Sequence, residues 1–200
     1  MRAPIFLFAV IALFGSDCAA AQPVTPIKTS DFPISDGQGV TTVQDPSAPV
    51  SFQLPAGWIL VGGVRWGNHE TTLSVLDTAS GTTASVYYQY PIQSVIPANL
   101  DAALAAGMEA KVRQRQDREG LKDYHVRTGS PQTSVVDGRP ALSFIGDFTA
   151  PRSGLPMSEY LLRVLGANTK AEFFVKLPAA TDLTSFANRF DSIAQTLRMP

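Results

Sequence analysis

Residues 50–61 read Val50-Ser51-Phe52-Gln53-Leu54-Pro55-Ala56-Gly57-Trp58-Ile59-Leu60-Val61. Ser51 to Leu54 alternates polar and apolar side chains as a short strand does, and Trp58 to Val61 opens a second strand. Between them, Pro55 presets a turn dihedral and Gly57 accepts the positive φ that turns often need. Downstream, Thr71 to Asp77 and Thr82 to Tyr90 are rich in β-branched and aromatic residues, and Thr78-Ala79-Ser80-Gly81 joins them as a hairpin. Ala84, Val86, Tyr88 and Tyr90 fall on one face of the second run. Thr83, Ser85, Tyr87 and Gln89 fall on the other.

The period then changes. Asn99 is placed to cap a helix, and Asp101 favours its positive end. Leu100, Ala103, Leu104, Gly107 and Met108 form one apolar stripe, with Gly120 as the stop. Strands follow at Tyr124 to Thr128, Thr133 to Val136 and Pro140 to Thr149, the last two joined through Asp137-Gly138. Ser158 to Leu165 and Ala171 to Leu177 form another hairpin across Gly166-Ala167-Asn168-Thr169. A closing helix from about Asp182 to Leu197 gathers Leu183, Phe186, Ala187, Phe190, Ile193, Ala194 and Leu197 on one face. Antiparallel hairpins with two amphipathic helices predict an α+β fold.

In this order the elements resemble the PsbP-like superfamily. The similarity is carried by the F-x-x-P-x-G-W opening at Phe52 to Trp58, the mid-chain helix, the hairpin Val136-Asp137-Gly138-Arg139-Pro140-Ala141, the strand Tyr160-Leu161-Leu162-Arg163-Val164, and the closing helix after Leu177-Pro178. The superfamily holds the extrinsic PsbP protein of photosystem II, a Ran-binding import factor and periplasmic DcrB-like proteins. The resemblance, covering roughly Val50 to Met199, implies an antiparallel β-sheet flanked by helices on both faces. It also implies binding or accessory roles. It carries no metal- or partner-binding residue onto this chain, and fold alone does not fix function.

Towards the N-terminus, Arg2 precedes an apolar run from Ala3 to Phe14, and small residues end at Ala19-Ala20-Ala21. That is the pattern of a bacterial export signal over residues 1–21, too short to span a bilayer, which needs about 20 apolar residues. Cleavage after Ala21 removes the only cysteine, Cys18, leaving no disulfide and no thiolate. The alternative is a lipoprotein anchored at Cys18, although Asp17 stands where a lipobox has a small residue. The Pro-, Thr-, Ser- and Gly-rich stretch of residues 22–49 is expected to be a flexible linker ahead of a domain at 50–200. The other reading is an arm laid across the domain and anchored by Phe32-Pro33-Ile34. The net charge of −1 gives no electrostatic case for nucleic acid, and no later stretch is long enough to cross a membrane.

Few residues carry chemistry. His69-Glu70 follows Trp66-Gly67-Asn68 in a polar loop, but zinc takes three or four ligands and no third histidine exists. His125 is expected on a sheet surface. There is no G-x-S-x-G, H-E-x-x-H, phosphate-binding or dinucleotide motif, so no enzyme, cofactor or metal is expected. Trp66, among Gly62, Gly63, Arg65, Gly67 and Asn68, is either a packed lid or an anchor for a ligand or partner. The helix stripe of Leu100, Leu104 and Met108 continues into Lys111, Arg115, Arg118 and Lys122. Either the helix overruns the sheet edge and these cations are solvated, or it changes phase near Gly107; solvated, they could form a docking stripe for an acidic partner or lipid headgroups. The expectation is an exported, non-enzymatic binding or accessory protein of the cell envelope that engages a protein partner. A small-molecule or lipid carrier with a pocket between sheet and helix is the alternative, and a hydrolase a less favoured third.

Overall fold

The computed structural model describes residues 23–32, 34–37, 39–92, 99–117 and 121–200. The expected export signal, with Cys18, lies outside them. The strands are β1 (Val24–Ile27), β2 (Ile34–Gly37), β3 (Val40–Gln44), β4 (Ser51–Leu54), β5 (Trp58–Trp66), β6 (Glu70–Asp77) and β7 (Thr82–Gln89). Helix α1 (Leu100–Asp117) follows, then β8 (Lys122–Val126), β9 (Gln132–Val136), β10 (Arg139–Thr149), β11 (Pro156–Leu165), β12 (Lys170–Pro178) and helix α2 (Leu183–Ala194). Nine strands form one antiparallel sheet in the order β1-β5-β6-β7-β12-β11-β10-β8, with β9 paired to β10, and β2-β3-β4 form a second, smaller sheet.

Local chemistry accounts for these boundaries. Asn99 caps α1 through a bond from the Ala102 amide of 3.1 Å, and Asp182 caps α2 through the Ser185 amide at the same distance. Asp137 and Gly138 both take positive φ, 50° and 73°, as the tight β9–β10 turn demands. Strand alternation then sorts side chains by face. On β12, Ala171, Phe173, Val175 and Leu177 enter the main core with the apolar stripe of α2. Trp58 lies in that core as expected, 6% exposed, stacked on Phe190 at 5.7 Å and edge-on to Phe186 at 5.6 Å. The alternate residue Phe174 packs instead in a cluster with Met108 and Val112 of α1.

The structure corrects the expected linker. Residues 24–44 hold three strands: β1 pairs with β5 at one edge of the large sheet, and β3 pairs with β4. Ile27, Phe32 and Val43 are buried, and Asp45 is 3% exposed, bonded by Arg65 at 2.8 Å and by the hydroxyl of Tyr88. The ordered domain therefore begins near Val24. Phe32 is an anchor, as the arm reading required. The segment misleads because its apolar residues come singly, so no local period betrays strands whose partners lie far along the chain.

A second correction concerns β5, which does not stop at Val61. A bulge between Leu60 and Gly62 shifts the register and the strand runs on to Trp66. The glycines are needed rather than disruptive. Gly62 has φ of 141°, and a Cβ on Gly63 would meet the Thr72 carbonyl at 2.4 Å.

Candidate functional site

Lys111 and Arg115, expected to be solvated, are 6% and 4% exposed. The helix neither overruns the sheet nor changes phase. The apolar stripe of Leu104 and Met108 continues onto a part of the sheet that supplies buried acids. Lys111 bonds Glu172 of β12 at 3.1 Å, and Arg115 bonds Glu159 of β11 at 2.7 Å. Arg163 shares Glu172 at 2.7 Å, and Lys176 stands 3.8 Å from Glu159. Burial alone would raise the Glu172 carboxyl, but Lys111, Arg163 and then Lys170 outweigh it and hold it well below the usual carboxylate range. Gly107 lets the helix settle, since a Cβ there would lie 1.9 Å from the Arg163 guanidinium. Two of the four expected docking cations are thus spent inside the fold. Arg118 lies outside the described residues, and Lys122 belongs to β8, opposite Thr149.

The signal that sequence reading missed was in the strands. Glu159 stands directly opposite Lys176, and Arg163 opposite Glu172. Glu159 and Glu172 alternate with the core residues Tyr160, Leu162, Ala171 and Phe173, so they lie on the opposite face of the sheet, which α1 covers. Trp66, expected in a glycine-rich loop, ends β5 opposite Glu70 and is half-buried. His69 sits in the β5–β6 turn as expected, its carbonyl accepting from the Tyr90 amide at 2.8 Å. The structure brings neither of them to Lys111 and Arg115. Nearby on the same sheet, Lys170 lies over the Tyr87 ring at 5.3 Å, and burial lowers its ammonium pKa.

The described residues also form a groove of about 290 Å3 beside α2. One wall is the α2 stripe of Thr184, Ala187, Asn188 and Asp191, spaced i, i+3, i+4, i+7. The floor is Ser143, Ile145 and Tyr160, and the other wall is the connection from Arg127 to Gln132. Tyr160 donates its hydroxyl to Asp191 Oδ1. Burial raises the Asp191 carboxyl pKa, against the pull of that hydrogen bond. Arg127 is held by Asp147 through bonds of 2.9 and 2.7 Å, and Ser130 is pinned to the backbone of Ile145. His125 is exposed on β8, with Nδ1 at 2.9 Å from the Asp123 carbonyl. Among the described residues, no group of three or more His, Cys, Asp or Glu side chains is placed to hold a metal, and no helix is long and apolar enough to cross a membrane.

No family model and no curated protein matches the sequence. Solved structures do. Cyanobacterial PsbP from Synechocystis superposes on 94% of this chain and 98% of its own, with TM-score 0.50 and 12% identity. The fold is PsbP-like. A Bacteroides thetaiotaomicron protein matches at TM-score 0.51 and 12% identity over 80% of this chain, which spans about half of that protein, 48%. A Pseudomonas aeruginosa protein of unknown function matches at TM-score 0.48 and 13% identity, over 80% of this chain and 96% of its own. The shared PsbP-like architecture is α+β with a large antiparallel sheet and two helices, as the Phe52–Trp58 opening and the order of elements implied.

Proposed function

We propose that this chain is an exported, non-catalytic binding or accessory protein of the cell envelope that engages a protein partner on its PsbP-like frame. The observation that carries the reading is the end-to-end superposition on cyanobacterial PsbP, 94% of one chain on 98% of the other. Lys111 and Arg115, two of the cations flagged by the sequence, serve internal ion pairs, which supports a role for this frame in binding through another surface. The alternation of Glu172, bonded to α1, with Phe173, packed in the α2 core, supports the finer reading of helices on both faces of the sheet. With Lys111 and Arg115 spent, the surface that fits a partner is the outward face of β5. There Ile59 and Val61 stand 47% and 45% exposed, and Trp66 ends the strand. The small, polar-walled groove beside α2 does not suit a lipid acyl chain.

Two experiments test the reading. N-terminal sequencing of protein from the cell envelope is expected to begin near Gln22, and palmitate labelling at Cys18 would favour the lipoprotein form. Cross-linking in periplasmic extract is expected to give one discrete adduct that Ile59→Glu with Val61→Glu abolishes. An adduct unchanged by that pair, in a protein that still folds, removes this surface from the proposal.

A further inference from the structure

We propose that the groove between α2 and β10 is a binding site for a short aliphatic amine, held as its ammonium by Asp191. This inference does not rest on the protein-partner reading, because it uses different residues and a different face. Tyr160 occupies Asp191 Oδ1 and fixes the carboxylate against the groove floor. No protein group among the described residues bonds the other oxygen, Oδ2, which is left to a ligand. Among the described residues that line the groove the one other charge, Arg127, is paired with Asp147. The groove therefore presents one uncompensated negative charge, partly withdrawn from water, and the chemistry that answers it is a hydrogen-bonding cation.

The rest of the wall fits the rest of such a molecule. Asn188 and Gln132 add amide acceptors, and Ile145 and Ala187 offer apolar surface to a short methylene chain. At about 290 Å3 the groove lies at the lower end of small-molecule pockets, which run from roughly 300 Å3 upward, so a molecule of few heavy atoms is the right size. Burial already penalises the Asp191 carboxylate, and an adjacent ammonium relieves that penalty.

The test is amide NMR of the purified chain titrated with putrescine, with butanediol as the uncharged match. Saturable shifts confined to residues 127–132 and 184–191 are expected with putrescine and none with butanediol at equal concentration. Asp191→Asn is expected to weaken putrescine on the order of tenfold or more, since it removes the charge while keeping the shape. Asn188→Lys, at an exposed helix position, fixes an ammonium in the groove and is expected to abolish the shifts without lowering Tm. Equal shifts with butanediol would show a polar groove without charge recognition and overturn the proposal. So would undiminished putrescine binding by Asn188→Lys, which decides the matter even where Asp191→Asn does not fold, or the absence of saturation.

Discussion

Arg115 shows what one buried charge does in this fold. Removing it leaves Glu159, fully buried, with only Lys176 at 3.8 Å as a counter-charge among the described residues. Arg115→Met is therefore expected to cost about 3–5 kcal/mol, and Glu159→Leu added to it to restore most of that, because an apolar pair avoids the desolvation both ions incur. Urea midpoints of the two variants measure this; additive losses would mean that the ions do not act as a pair. Glu172 sets the acid limit. Its folded pKa is depressed, so its contribution is present above the unfolded carboxyl value, about 4.3, and is lost only as pH falls through the folded value. The helical signal of α1 should accordingly survive from pH 7 to pH 5, as read by circular dichroism. Asp191 has the opposite sign. Its folded pKa is raised, so stability declines as pH rises from the unfolded value, about 3.9, through the folded one, and Asp191→Asn should flatten that slope.

At the scale of elements, α1 and α2 are held by different means. α2 is a conventional amphipathic helix whose Phe186 and Phe190 meet Trp58, so Trp58→Ala is expected to cost roughly 3–5 kcal/mol through the cavity it leaves. A denaturation midpoint that hardly moves would contradict this packing. α1 has a mixed stripe, and Gly107 is its keyhole for Arg163. Alanine ordinarily improves a helix interior by about 1 kcal/mol over glycine. Here Gly107→Ala is expected to lower Tm, and to do so far less in an Arg163→Ala background, the coupling expected of groups in contact.

The same contrast explains what the sequence could disclose. α2, the hairpins and the Trp58 core were legible because each repeats a local period. The burial of Lys111 and Arg115 was not, since their partners Glu159 and Glu172 lie 44 and 61 residues away. Nor was the groove, which is assembled from a helix stripe, a strand and a turn with no common motif. Chemistry-bearing residues such as His69 and His125 stood out in the sequence only by scarcity, and the structure gives them no common site.

For the molecule as a whole, the N-terminal strands belong to the domain. A chain truncated to begin at Val50 loses β1, β2, β3 and the Asp45 link to Arg65 and Tyr88, and exposes an edge of β5. It is expected to aggregate or to melt without a cooperative transition, whereas a flexible tether would be dispensable. Both behaviours are distinguishable by calorimetry and size-exclusion chromatography.

The far end of the chain completes the near one. Ser51 and Arg198 exchange backbone hydrogen bonds of 3.0 and 2.8 Å, and the Gln53 amide reaches Thr196 across 143 residues. A ribosome adds about 5–20 residues per second, so β4 waits on the order of ten seconds for its last neighbours to be made. Throughout that interval α2 does not yet exist to cover Trp58. The nascent polypeptide stays an open, unfinished core, in the condition that a holdase or a translocation pore accepts.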